Sequence, residues 1–131
     1  MDKVVHFEIP ADDLARAKKF YSSIFGWELQ DYPMPDGTKY TGVKTVPVDE
    51  EKHMPKEPGA INGGLMERTT AVRSPVVAMH VSSVDEYVKK VEATGGKVVM
   101  PKKEIGGMGF YAYVADTEGN AIRKVSTAGG A

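Results

Sequence analysis

His6 and Glu8 stand two residues apart in the run Val4-Val5-His6-Phe7-Glu8-Ile9-Pro10. In an extended strand, residues two apart point to the same side, so the imidazole and the carboxyl group share one face while Val5, Phe7 and Ile9 share the other. A face with this pair suits one of two chemistries. The two groups can ligate a divalent metal, or they can line a small-molecule pocket in which Glu8 orients the ring of His6. Both are candidates for a catalytic role.

Other residues could join them. Asn62, Gly64 and Met66 alternate along a second apolar run, so the amide and the thioether are candidates to line the same cavity, with Gly64 leaving room. Arg123 can clamp an anionic ligand or pair with Glu8. Tyr111 and Tyr113 share a face and suit either a flat ligand or an interface between copies, and Tyr40 carries the same ambiguity. A three-residue metal site from His6 and Glu8 with either Glu67 or His53 is the alternative arrangement. His80 lies farther along a later strand. Gly106-Gly107-Met108-Gly109 lacks the following Lys-Ser or Lys-Thr pair of a phosphate loop, so it reads as a turn or lid. There is no cysteine, which excludes disulfides, thiolate metal sites and a cysteine nucleophile.

The elements that must position these groups follow from patterning. Strand one covers residues 3 to 9. Asp12 or Asp13 can cap a helix whose face is Leu14, Ala17, Tyr21 and Ile24, ending at Gly26. Residues 27 to 30 and 38 to 46 read as strands around the turn Pro33-Met34-Pro35-Asp36-Gly37. Residues 47 to 59 read as a solvated loop, residues 60 to 66 as a glycine-weakened strand, and residues 67 to 75 as a linker. The pattern then restarts: strand 76 to 81, a capping box at Ser83 and Glu86, and a helical face of Val84, Tyr87, Val88 and Val91 closed by Gly95-Gly96. Strands at 97 to 100, 109 to 115 and 120 to 125 follow, with a turn at 116 to 119.

Superposing Gly26 on Gly96 gives a shift of 70 that sets Leu14 on Val84 and Tyr21 on Val91. The chain is thus an internal repeat in pattern, each half too small to bury a good core alone. The expectation is an α+β fold of two βαβββ modules, their curved sheets paired around a cleft. Module one spans about 1–66, the linker 67–75, module two about 76–126, and 127–131 form a flexible tail. Together, 1–126 make a single domain. The same shift places His6 on Val76 and Glu8 on Ala78, so the second half offers aliphatic side chains where the first is polar.

The order of these motifs resembles the vicinal oxygen chelate superfamily, which includes lactoylglutathione lyase, bleomycin-resistance proteins and extradiol dioxygenases. The resemblance rests on His6-Phe7-Glu8-Ile9-Pro10, Phe20-Tyr21 with Phe25-Gly26-Trp27, and Ile61-Asn62-Gly63-Gly64-Leu65-Met66. Val84-Asp85, Gly95-Gly96-Lys97-Val98-Val99 and Ala115-Asp116-Thr117-Glu118-Gly119-Asn120 extend it through the second half. It implies a metal held by the first and fourth strands of each half. Here only His6 matches. The other positions fall on Asn62 to Gly64, on Val76 and on Arg123, so no complete metal site and no cofactor are expected, with a divalent metal the alternative. What the resemblance implies instead is a glyoxalase-like protein that binds a small molecule through His6, Glu8, Asn62, Met66, Tyr111 and Arg123. A metal-dependent lyase, isomerase or dioxygenase with a rearranged site is one rival, and an antibiotic-sequestering protein is the other. A homodimer is implied as well.

Composition narrows the partners. With 17 basic and 18 acidic residues the net charge is -1, and no basic tract marks a nucleic-acid or membrane surface. No run nears the roughly 20 apolar residues of a membrane span. Strand one begins at once, leaving no room for a secretory leader, so a cytoplasmic location is expected.

Overall fold

A computed structural model describes residues 1–34, 37–52, 54–104 and 109–127. Within it the chain divides into two compact units. His6–Pro75 form the first, and Met1–Val5 group with the residues from Val76 onward in the second.

The first unit runs β1 (Lys3–Ala11), α1 (Leu14–Phe25), β2 (Glu28–Pro33), β3 (Lys39–Lys44), β4 (Val48–Asp49), β5 (Met54–Pro55) and β6 (Asn62–Glu67). Its sheet has the order β2-β3-β6-β1. β1 and β6 run parallel, with His6 beside Asn62 and Glu8 beside Gly64, whereas β3 is antiparallel to both β2 and β6. The second unit repeats the plan: β7 (Val76–His80), α2 (Val84–Ala93), β8 (Lys97–Glu104), β9 (Gly109–Ala115) and β10 (Ala121–Thr127), in the order β8-β9-β10-β7. Here the parallel pair is β7 and β10, with Ala78 beside Arg123. The α+β class and the repeated strand-helix-three-strand pattern are as expected.

Local signals place the helices. The Asp13 carboxylate accepts from the Arg16 amide at 3.0 Å, and Gly26 closes α1 in the left-handed region at φ 69°. At that angle a side chain would be strained, which is why glycine stands there. The Ser83 hydroxyl accepts from the Glu86 amide at 3.2 Å and starts α2.

Of the expected apolar face of α1, Leu14, Ala17 and Tyr21 are half-buried and Ile24 is exposed. No residue of α1 is fully buried, and Ile24 is 62% exposed. The helix docks also through aromatic rings. Tyr21 stacks on Trp27 at 5.0 Å with an interplanar angle of 2°, and Trp27 meets Phe7 of β1 at 5.6 Å. Phe7 can sit there because Gly63 has no side chain: a Cβ at 63 would lie 2.6 Å from the Phe7 ring. α2 is more conventional. Val84 is fully buried with Val81 and Ala112, and Tyr87, Val88 and Phe110 pack around them.

Three other expectations need correction. Residues 47 to 59 hold a small antiparallel pair, β4 with β5, next to a turn in which the Asp49 carboxylate accepts from the amides of Glu51 and Lys52. The stretch 67 to 75 is anchored rather than free. Val72 is fully buried, Arg68 pairs with Asp12 at 2.8 Å and donates to the Arg73 carbonyl, and the Thr69 hydroxyl accepts from the Val72 amide. β8 extends to Glu104, four residues past the expected end, with register shifts against β9. His53, Pro35, Asp36 and residues 105–108 and 128–131, with most of the turn and tail expected there, lie outside the described residues. No helix among the described residues is long and apolar enough to cross a membrane.

Candidate functional site

The two faces of the first sheet have separate tasks. Phe7, Gly63 and Trp27 lie on the helix side. Asp31 lies there too, where its carboxylate accepts from Lys18 of α1 and from Thr41, each at 2.8 Å. These two hydrogen bonds hold the Asp31 carboxyl below the usual carboxylate range, Lys18 contributing most. The opposite face carries His6 and Glu8 of β1, Tyr40 and Gly42 of β3, and Asn62, Gly64 and Met66 of β6.

On that face the Nε2 of His6 and the hydroxyl of Tyr40 are 2.9 Å apart. Tyr40 pairs across the ladder with Met66, and its ring leans one step along the strand over Gly64. A Cβ built on Gly64 would stand 2.1 Å from the Tyr40 oxygen and 2.3 Å from Cζ. The absent side chain at 64 is therefore the room the phenol occupies. Tyr32 does the same to Gly42, where a Cβ would fall 2.6 Å from its ring. Glu8, beside Gly64 in register, is only 1% exposed. His6 and Tyr40 are half-buried.

Asn62 serves a different purpose from the one expected of it. Its carboxamide oxygen accepts from the Thr45 amide at 2.7 Å, the Val46 amide at 3.2 Å and the Thr45 hydroxyl at 3.1 Å. Its amino group donates to the Val46 carbonyl. The side chain thus ties β6 to the chain leaving β3. Met66 is half-buried on the His6 face.

The second sheet presents an equivalent face. Its registers set Tyr113 opposite Arg123 and Tyr111 opposite Val125. Glu8 beside Gly64 corresponds to Ala78 beside Arg123, so Gly64 and Arg123 occupy equivalent positions, and Tyr40 and Tyr111 do as well. The outcomes differ. Arg123 lies over the Tyr111 ring at 4.9 Å, a cation–π contact, and Tyr111 meets Tyr113 edge to face at 6.0 Å.

These positions were tested against a divalent metal ion. β1 supplies His6. On β6, Asn62 is committed to backbone and Gly64 has no donor. On β7, Val76 is aliphatic, and on β10 Arg123 brings a cation, which opposes a metal. Of the rearranged set, the arrangement with Glu67 does not form, and His53 lies outside the described residues. Glu67 is exposed, pairs with Ala11, and by alternation shares its face with Leu65 rather than Gly64. Among the described residues no three histidine, aspartate or glutamate side chains gather as a ligand group. The described residues at these positions do not offer the donors of a metal site. His80 is exposed at the end of β7.

Sequence reasoning left Tyr40 between a flat ligand and an interface between copies, and did not pair it with His6. The signal that finds it is the glycine opposite: a tyrosine on one strand with a glycine diagonal to it on the next, the pattern that recurs at Tyr32 and Gly42.

Known proteins share this organisation. Residues 3–45 match the family model described as bleomycin resistance protein-like N-terminal. A Mycobacterium bovis protein that carries the name glyoxylase CFP32 is 33% identical over 116 residues, covering 88% of this chain and 42% of its own length. The anthracycline biosynthesis protein DauV of a Streptomyces species (strain C5) is 28% identical over 126 residues, covering 88% of this chain and 44% of its own. The chain thus spans less than half the length of these curated relatives. A methylmalonyl-CoA epimerase of Streptomyces coelicolor, solved with 2-nitronate-propionyl-CoA, superposes with a TM-score of 0.67 at 20% identity. The superposition covers 96% of this chain and 97% of that one, so the two share a fold.

Proposed function

The chain belongs to the vicinal oxygen chelate superfamily, and from that premise we propose that it binds a small organic molecule on the module-one face centred on His6. The observation that carries this reading is the His6–Tyr40 pair at 2.9 Å above Gly64, with the buried carboxyl of Glu8 beside it. A half-buried histidine joined to a phenol and flanked by a buried acid is a set of convergent polar groups, as a ligand site has. Met66 supplies an adaptable apolar contact. Tyr111 and Arg123 supply a stacking cation and ring on the equivalent face of module two. No reaction step is assigned to a metal, because the described donor set does not fit one. His6 and Glu8 remain the candidates for any proton transfer.

A second reading, sequestration of a flat antibiotic, is favoured by the bleomycin-resistance-like match over residues 3–45 and by the tyrosines on both faces. The proposal also includes a cytoplasmic location and a homodimer. The exposed Phe20, Ile24 and Phe25 of α1 support pairing, and sedimentation tests it.

Calorimetry with a panel tests the main reading. The panel holds the hemithioacetal of methylglyoxal and glutathione, methylmalonyl-CoA, an anthracycline and bleomycin. The expected result is one binder whose affinity drops at least about tenfold in His6→Ala. A panel without a binder, or a binder indifferent to His6→Ala, overturns it.

A further inference from the structure

We propose a second ligand site in the first unit, an open cleft between α1 and the β2–β3 hairpin that takes a small monoanion with an apolar body, an acyl or aryl carboxylate. It goes beyond the binding role of the His6 face and does not depend on it.

The cleft has a volume of about 540 Å³, inside the range of roughly 300–1,000 Å³ that small-molecule pockets occupy. Two regular elements form its walls. Leu14, Ala15 and Lys18 line it from the first turns of α1, where residues three and four apart share a face of the helix. Asp31 and Pro33 of β2 and Lys39 of β3 line it from the hairpin. In the ladder Asp31 pairs with Thr41 and Pro33 with Lys39, so these residues lie on one side of the two strands, the side that meets Lys18.

The charged groups select the ligand's charge. Among the described lining residues two are cations, Lys18 and Lys39, and one is an anion, Asp31. Asp31 is already satisfied within the protein, because its carboxylate accepts from Lys18 and from Thr41. Lys18 keeps further donors, since an ammonium has three N–H groups and Asp31 takes one. Lys39 is exposed and enters no ion pair among the described residues. The cleft therefore carries excess positive charge, and a single negative charge balances it. Leu14, Ala15 and Pro33 select the rest. A free phosphate would meet the lysines and leave this apolar wall uncovered, whereas a hydrocarbon body covers it. An ion pair that served only to tie α1 to the hairpin would need neither the cleft beside it nor a second lysine on the same side.

The test titrates 4-phenylbutyrate, its neutral analogue 4-phenylbutanamide and inorganic phosphate into the full chain and follows the methyl resonances of Leu14. The expected result is saturable shifts with 4-phenylbutyrate. The amide should bind roughly fivefold more weakly, and Lys39→Met should weaken the acid by a similar factor, the size expected of an exposed charge pair. Ala15 is exposed, so Ala15→Phe fills the cleft from the helix without disturbing a buried group, and it should weaken the acid at least about tenfold. Tyr40, whose hydroxyl meets His6, also borders the cleft, which makes His6→Ala the control. That variant should keep its affinity for the acid within about twofold of the parent. No saturable shift, equal binding of the acid and the amide, phosphate binding as tightly as the acid, or Ala15→Phe binding as tightly as the parent overturns the inference. So does loss of binding in His6→Ala, which would place the probe on the His6 face.

Discussion

In module one Tyr40 reaches diagonally across Gly64 to the imidazole of His6, while in module two its equivalent, Tyr111, lies beneath the guanidinium of Arg123. The strand order, the parallel pair and the registers that set the tyrosines against the fourth strands are the same in both sheets. Among the positions that differ, two bear on these tyrosines: Gly64 against Arg123 on the fourth strand and His6 against Val76 on the first. A glycine with a histidine neighbour draws the phenol inward along its hydroxyl. An arginine with a valine neighbour turns the same ring into an apolar and cation-binding surface. The lesson is that the framework sets which residues meet, and the small residue decides what they do when they meet.

The largest effect is expected from making module one resemble module two. Gly64→Arg puts a side chain into the volume of the Tyr40 ring, and overpacking of that kind costs about 3 kcal/mol. The urea midpoint of the full chain should fall accordingly. An unchanged midpoint would mean that the phenol yields without loss, and the contrast between the sheets would lose its meaning.

The helices sharpen the comparison next. Val84 of α2 is fully buried, whereas Ile24, an equally apolar residue on the expected face of α1, is 62% exposed. Val84→Ala should cost about 2 kcal/mol, and Ile24→Ala less than about 0.5 kcal/mol. A large loss from Ile24→Ala in the monomeric range of protein concentration would contradict the ring-stacked docking of α1.

The tyrosines themselves come third. Tyr40→Phe removes one hydrogen bond and should cost about 1 kcal/mol. Tyr111→Phe keeps the ring under Arg123, so its cost should be smaller, because the contact is made by the ring face. Equal costs would argue against distinct uses of the two rings.

The smallest effect concerns Asp31. Its folded carboxyl titrates below the ordinary value of 3.8 because Lys18 and Thr41 donate to it. A lowered value favours the ionised form in the folded state. This contribution is therefore present above about pH 4, and is lost as the pH falls through the lower folded value. Lys18→Met should lower stability slightly at neutral pH, where the contribution is present, and converge with the parent in acid, so that the acid limb flattens. A profile identical to the parent's would remove the pair from the account.

Much of this was readable before any coordinates. The period-two alternation of residues 4 to 9 placed His6 and Glu8 on one face, and Asp13, Gly26 and Ser83 marked helix ends by their own chemistry. The repeat was visible through the helices because the shift of 70 holds there. It fails later: Gly42 to Gly64 spans 22 residues, and the equivalent Tyr113 to Arg123 spans 10. The extra 12 residues of module one, which hold β4 and β5, hide the equivalence of Gly64 with Arg123 from that shift, whereas Tyr40 and Tyr111, which precede the change, are only one residue off it. Asn62 was misjudged for another reason. Its strand parity is right for the site face, but an amide can satisfy backbone groups nearby, and the chain leaving β3 presents two amides to it. Periodicity placed Leu14, Ala17 and Tyr21 of α1 on the half-buried side, but not the exposure of Ile24 or the stacking of Tyr21 on Trp27, which depends on a residue beyond the helix.

The central claim is that the phenol of Tyr40 takes the place beside His6 that Gly64 leaves open. It is tested most directly by the ring-nitrogen resonances of His6, assigned by their loss in His6→Gln and compared between the parent and Tyr40→Phe. The predicted result is a displaced Nε2 resonance in Tyr40→Phe, with the same displacement in Gly64→Ala. An Nε2 resonance at the same position in the parent and in Tyr40→Phe would contradict the pair, and with it the reading of the face.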